Sequence, residues 1–364
     1  MSQNPADHDA ATAGPSIAPE WQRWVAENAL RGNPPEAIVK AMQEGGIDAE
    51  TAAREVEAAL RHPYLLAANE FAKTWKPPVQ ASSGGGSARA DKYAWILEVS
   101  RRAAKLSSEH GTVPRVTSPS KEAFLEDFYA RNRPCVIEGD MADWPAIERW
   151  DADYLKAGGR DALDVAVEVY LDREGPHGPR APRVAAQMRF GDVVDAVEGG
   201  GDTNGLYMTA NTTEKNQDLL RDLWADIAYP DYLDADHTLG KGLLWYGPKG
   251  TITPIHHDLT NNLMAQVRGR KHIKLIAPNE TADVYNHLGR YSDVDIEHPD
   301  LSQFPAFDRV TVLDVEIGPG EMLFVPAGWW HGVRSLDTSI TFTFMNFAYE
   351  TDFYSFYTSY DEID

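Results

Sequence analysis

Cysteine is nearly absent from this chain: Cys135 is the only one in 364 residues. No disulfide can form within it, which excludes the disulfide-stapled secreted scaffolds and suits a reducing compartment. No apolar run approaches the roughly 18 residues that a membrane-spanning helix needs. The opening MSQNPADHDA lacks the basic and apolar regions of a secretory signal, so a cytoplasmic protein without a membrane partner is expected. Basic residues are also scarce, 34 against 56 acidic ones, a formal charge of −22. Phosphate backbones would be repelled, which argues against a nucleic-acid partner. A basic peptide or a small cation would be attracted. The remainder is ordinary for a globular protein, with 43% hydrophobic and 25% charged residues. The length suffices for one large domain and a smaller one.

The most informative stretch runs from Gly250 to Lys274, GTITPIHHDLTNNLMAQVRGRKHIK. His256 and Asp258 stand two apart, and on a β-strand such side chains leave the same face. An imidazole and a carboxylate so placed can take adjacent sites on one metal ion. Non-haem Fe(II) oxygenases need two histidines and one carboxylate with the opposite positions open. His331, in GPGEMLFVPAGWWHGV, is the candidate for the third position. Taken singly, an H-x-D pair is common by chance, and a histidine after two tryptophans is more often a half-buried core residue. A carboxylate in an apolar strand, however, needs a partner or a metal. His257 has the opposite parity and is expected to be no ligand. Lys271 shares parity with Ile273 and Leu275 and should point inward, where an ammonium requires an anionic partner. The alternative is a stem that snorkels to the surface. Thr253 is placed where a hydroxyl could reach the same anion, and Tyr207 lies on a strand expected to line the pocket.

TPIHHDLTNNLMAQVRGRKHIKLIAP followed by GPGEMLFVPAGWWHGV resembles the JmjC-type (cupin-like) family of Fe(II)- and 2-oxoglutarate-dependent oxygenases. Upstream, VPRV, NRPCVIEG, DWPA, YMTAN and LWYGPKGT resemble that family's lead-in segments in order, so the resemblance covers roughly residues 113 to 348. It implies a double-stranded β-helix, the jelly-roll or cupin architecture, mainly β with some α. It implies iron ligands His256, Asp258 and His331. Lys271 would hold the distal carboxylate of 2-oxoglutarate, with Thr253, Asn262 and Tyr207 as further contacts. The expected chemistry couples oxidation of 2-oxoglutarate by O2, to succinate and carbon dioxide, to hydroxylation of a substrate carbon. The substrate would be a peptide, a protein side chain or an amino-acid-like molecule, with a cationic one favoured by the acidic stretches 218 to 236 and 293 to 300. N-demethylation on the same scaffold, a metal-dependent cupin working without 2-oxoglutarate, and a non-catalytic cupin-type binding protein are the alternatives. Lys271 and Thr253 argue against the second, and the complete triad against the third.

Residues 1–18 read as a disordered tail, 19–76 as a small helical module, 77–90 (PPVQASSGGGSARA) as a flexible linker, and 91–364 as the oxygenase domain. In the module, Trp21, Trp24, Val25 and Ala29 recur at helical spacing. Pro34-Pro35 opens a second helix carrying Ile38, Val39 and Met42, and Asp48 caps a third with Ala52 and Val56. The module either packs on the β-domain or docks a partner peptide. Further helices are expected at 91–108, at 121–131 behind Ser118 or Ser120, and at 188–198. Strands are expected at 134–137 and 162–170. EGPHGPRAPR, 174–183, reads as a loop. The acidic run 218–236 is expected to form a solvated face or to border the substrate entrance. The irregular insertion 278–313 should shape the mouth, with His287 and His298 on the surface. The ending FAYETDFYSFYTSYDEID is too short for a long dimerisation arm, and its aromatics are expected to pack back on the barrel.

Overall fold

In a computed structural model, residues 17–30, 33–67, 88–170, 183–209, 213–236, 242–286 and 289–355 are described. The expectations for the first 16 residues, most of the linker, the loop 174–182, Asn211, His287 and the last nine residues lie outside them. The chain divides into two compact units, Met1–Ser83 and Gly84–Asp364.

The first unit contains helices α1 (Pro19–Leu30), α2 (Pro35–Glu44) and α3 (Ala49–Arg61). Pro35 occupies the first turn of α2, where a missing N–H costs nothing. Asp48 caps α3 by accepting from Thr51 N at 2.9 Å. Val25, Ile38, Met42, Ala52 and Val56 form the shared core.

In the second unit, α4 (Ala88–Ala104) precedes strands β1 (Arg115–Thr117), β2 (Cys135–Glu138), β3 (Asp164–Tyr170), β4 (Arg183–Arg189), β5 (Leu206–Tyr207), β6 (Leu243–Gly247), β7 (Ile252–His257), β8 (Asn262–Arg268), β9 (Lys271–Ile276), β10 (Val312–Ile317), β11 (Glu321–Val325), β12 (Trp330–Ser335) and β13 (Ser339–Phe344). Six of them form one sheet, β1-β2-β11-β8-β13-β6, and four form a second, β10-β9-β12-β7. The two sheets face each other across Val136, Met264 and Leu323 on one side and Ile273, Val315 and Val333 on the other. This is the jelly-roll arrangement, and the sheets do not close into a continuous barrel.

The outer face of the six-stranded sheet buries Leu263, Ala265 and Phe342 against the helix Phe190–Gly199 and neighbouring segments. Segment 278–311 covers the outer face of the four-stranded sheet through Val284, Val294, Ile296 and Phe307, packed on Ile255, Ile276 and Trp330.

Several local expectations are refined or corrected. Met188 belongs to strand β4, which ends at Arg189, and the helix begins only at Phe190. The helix from Lys121 is capped by Ser120, whose Oγ accepts from Ala123 N at 3.2 Å, and it widens to a π-turn over Leu125–Tyr129. The acidic run is no solvated face at Asp226. That side chain is 3% exposed and accepts hydrogen bonds from Arg149, Trp150 Nε1 and Tyr154 Oη at 2.6–3.0 Å. Asp222 is paired with the buried Arg160. Among the terminal aromatics, Phe347 is buried and Tyr349 Oη donates to Lys121 O, whereas Phe353 and Tyr354 are exposed.

Candidate metal and cosubstrate site

The face of the four-stranded sheet that looks into the sandwich is set by register. Lys271, Ile273 and Leu275 on β9 stand opposite Ser335, Val333 and His331 on β12. His331 in turn stands opposite His256 on β7. Thr253 is three residues from His256, and simple alternation would turn it outward. A β-bulge intervenes: Thr253 pairs with Val333 while His256 pairs with His331, so two β7 residues oppose one on β12. The extra residue restores Thr253 to the inner face. Pro254 lies in the bulge on this edge strand, where a missing donor is tolerated.

His256, Asp258 and His331 offer ligand atoms that all lie within 4.8 Å of one another. Asp258 Oδ1 is 3.9 Å from His256 Nε2, and Oδ2 is 3.7 Å from His331 Nε2. His256 Nδ1 lies 2.8 Å from Pro254 O, and His331 Nδ1 lies 3.0 Å from Trp329 O. A carbonyl oxygen has no proton to give, so both Nδ1 atoms carry one and both Nε2 atoms present lone pairs to the cluster. Burial lowers the His256 imidazole to about 4, with the neighbouring His331 adding to the effect. For Asp258, burial pushes the carboxyl up. The two imidazoles, the Arg290 guanidinium and the Asn262 amide outweigh it and hold the group below its ordinary value. His257 faces away and packs its ring 4.7 Å from that of Trp330.

The carboxylate is held on both oxygens. Asn262 Nδ2 donates to Oδ2 at 2.5 Å, and Arg290 Nη1 donates to Oδ1 at 3.0 Å. The family resemblance implies Asn262 as a cosubstrate contact, but here it supports Asp258, as does Arg290, which no motif in the sequence marks. Arg290 arrives because residues 290–292 run beside the free edge of β7. His257 N donates to Arg290 O at 3.0 Å and Ser292 N to Ile255 O at 3.2 Å. Tyr291 thereby lays its ring 5.5 Å from that of His256. The insertion does reach the metal cluster, and it also serves as the cover of the outer sheet face. A turn at Gly328, with φ +81°, ties Gly328 N to Asp258 O at 2.9 Å and joins the loops carrying the two halves of the triad.

Deeper in the sandwich Lys271 is 2% exposed. Its Nζ donates to Tyr207 Oη at 3.3 Å, and no ion pair with an acidic side chain is found for it among the described residues. Burial alone lowers the amine from 10.5 to about 7. Trp245, on the facing sheet, packs 5.7 Å from the Tyr207 ring, and its buried indole Nε1 has no hydrogen-bond partner among the described residues. Gly247 makes room for this group: a Cβ there would meet the Tyr207 ring at 2.7 Å. An uncompensated amine and an orphaned N–H in one cleft suit an anionic guest, and the two imidazoles and carboxylate suit a borderline divalent metal.

Residues 120–354 match the cupin-like domain family. The chain belongs to the JmjC-type, cupin-like family of Fe(II)- and 2-oxoglutarate-dependent oxygenases. It is 35% identical over 247 residues to lysine-specific demethylase 8 of Danio rerio, a match covering 64% of this chain and 57% of that protein. It is 27% identical over 282 residues to the human bifunctional peptidase and (3S)-lysyl hydroxylase JMJD7, covering 67% of this chain and 87% of the other. With human tRNA wybutosine-synthesizing protein 5 it shares 25% identity, over 63% and 76% of the two chains. The chain thus spans little more than half the length of the Danio relative. No helix among the described residues is long and apolar enough to cross a membrane.

Proposed function

We propose that the protein is a hydroxylase that holds Fe(II) through His256, Asp258 and His331 and 2-oxoglutarate through Lys271, Tyr207 and Thr253. One observation supports this most: an open His-Asp-His cluster lies in the same sandwich as a buried amine that no acidic side chain neutralises among the described residues. Iron and 2-oxoglutarate, when bound, supply the oxidising chemistry, yielding succinate, carbon dioxide and one oxygen atom inserted into a substrate C–H bond. The chain's own contribution is geometric and electrostatic. Lys271 takes the distal carboxylate with Tyr207 Oη beside it, and Thr253 adds a hydroxyl from the bulge. Arg290 and Asn262 fix Asp258 from opposite sides, so each carboxylate oxygen keeps its direction. The apolar lining of Ile273, Leu275 and Val333 keeps water out.

The substrate is proposed to be a peptide, protein side chain or amino-acid-like molecule in a reducing, cytoplasmic compartment. A cationic substrate retains support from the exposed acids at 293–300, such as Asp295. The stretch 218–236 no longer contributes fully, because Asp226 is buried and Asp222 is paired with Arg160. Removal of an N-methyl group is the second reading, favoured by the name of the Danio relative. One experiment separates them. The protein is supplied with Fe(II), 2-oxoglutarate and O2 and screened against unmodified and methylated basic peptides. Hydroxylation gives succinate with a product heavier by one oxygen, and demethylation gives succinate with formaldehyde and a lighter product. No succinate under any condition overturns both.

A further inference from the structure

Helix α4 is built the wrong way round for a helix lying on a domain. The side it turns to the domain is mainly polar: Arg101, 9% exposed, points at Glu280 and Asp283, and Asn279 Nδ2 donates to Ser100 Oγ at 3.2 Å. Its apolar side chains look outward instead. Trp95 is 63%, Ile96 45%, Val99 46% and, two residues past the helix, Leu106 88% exposed. At 100° per residue Trp95 and Val99 fall within one stripe with Ile96 beside it, and Leu106 follows in the turn after the helix. Lys92 and Lys105 flank the stripe. A contiguous apolar stripe of this kind marks a docking surface.

The same chain carries a complementary segment. Phe353, Phe356, Tyr357 and Tyr360 recur at i, i+3, i+4 and i+7, and Asp352, Asp361, Glu362 and Asp364 surround them. The aromatics match an apolar stripe, and the acids match its lysines. A chain of contacts runs from one segment toward the other. Tyr129 Oη donates to Glu350 O at 2.7 Å, and four residues on, Arg133 pairs with Glu109 at 2.7 Å, just beyond α4. Ten residues beyond Glu350 span at most about 35 Å when extended and about 15 Å when helical. We propose that residues 353–364 dock on the outward stripe of α4 in the same molecule, so that the end of the sequence clasps the segment that leads into the β-domain.

The single, fully buried cysteine makes the test clean. Burial pushes the Cys135 thiol up, and its side chain is 0% exposed, so it contributes no background to thiol labelling. Val99→Cys is introduced into the full chain with and without Phe356→Ser, Tyr357→Ser and Tyr360→Ser. Docking predicts labelling roughly tenfold or more slower with the native aromatics, at every protein concentration. In a Val99→Cys, Tyr360→Cys chain, mild oxidation should yield a cross-link within one molecule. Equal labelling rates overturn the proposal. So does protection that grows with protein concentration alongside cross-linked dimers, which would make a second copy the occupant.

Discussion

Replacing Lys271 with methionine removes the charge from the sandwich at nearly constant volume. In the native protein without cosubstrate, burial lowers this amine from 10.5 to about 7. At pH 8 about nine molecules in ten therefore carry it neutral, and at pH 6 about one in ten. A carboxylate that binds the ammonium must then bring a proton with it at pH 8. The apparent affinity for 2-oxoglutarate should fall about tenfold from pH 6 to pH 8, or about 1.4 kcal/mol. Calorimetry on metal-loaded protein under anaerobic conditions, in two buffers of different ionisation enthalpy, should show uptake approaching one proton at pH 8 and almost none at pH 6. Lys271→Met should abolish that uptake and weaken binding by roughly 10- to 150-fold, the value of a charge-assisted hydrogen bond. The folded protein should gain from the same change. A depressed amine pKa means that the unfolded chain takes its proton first, so stability is lost as pH falls from about 10.5 to about 7 and stays low below that. Lys271→Met without ligand should thus be more stable than the native chain at pH 6 to 7, by up to roughly 5 kcal/mol. A pH-independent affinity with no proton uptake, together with an unchanged melting temperature in the variant, would refute the reasoning.

Alanine at His256, Asp258 or His331 should abolish succinate formation while far-ultraviolet dichroism stays native; full turnover by Asp258→Ala would remove the carboxylate from the metal. Arg290→Ala and Asn262→Ala should each cost about 10- to 100-fold in metal affinity or turnover, as removal of a ligand's supporting hydrogen bond does elsewhere; titration with Mn(II) and assay of succinate check both. Gly247→Ala should push Tyr207 aside and raise the 2-oxoglutarate requirement, with a stability loss of about 1–3 kcal/mol from overpacking, measured by urea denaturation. Asp226→Ala strands the Trp150 and Tyr154 donors and should cost about 1–3 kcal/mol without altering 2-oxoglutarate affinity, which would separate the acidic run from the site.

What could be read in the sequence was what alternation and motif spacing encode. The His256–Asp258 pair, the inward Lys271 and the outward His257 all follow from a period of two. The helical module follows from its own spacing and caps. Strand β4 escaped because it follows the proline- and glycine-rich run EGPHGPRAPR, and VAAQM lacks a sharp alternation. The acidic run was misread at Asp226 because composition does not show that Arg149, Trp150 and Tyr154 converge from more than 70 residues away. The residues that complete the site were hidden for the same reason. Trp245 and Gly247 matter only through Tyr207, and Tyr207 is carried by a third, three-stranded sheet of order β4-β3-β5.

Thr253 and Arg290 show where reading by period stops. Strict alternation would have set Thr253 on the face opposite His256, and only a bulge reconciles the two. The one local sign of that bulge is Pro254, which removes a donor from a strand lying at the sheet edge. The same edge leaves the backbone of Ile255 and His257 free to accept and donate, and residues 290–292 take up that offer. A strand that must present metal ligands at an edge thus acquires a covering segment, and the covering segment brings a guanidinium to the ligand carboxylate. In a chain with a formal charge of −22, Lys271 and Arg290 are placed by backbone register, Lys271 on β9 and Arg290 on the segment beside β7. On the proposed function, cosubstrate and metal would be recognised by the interior of the sandwich, and the acidic exterior would act only on what approaches it.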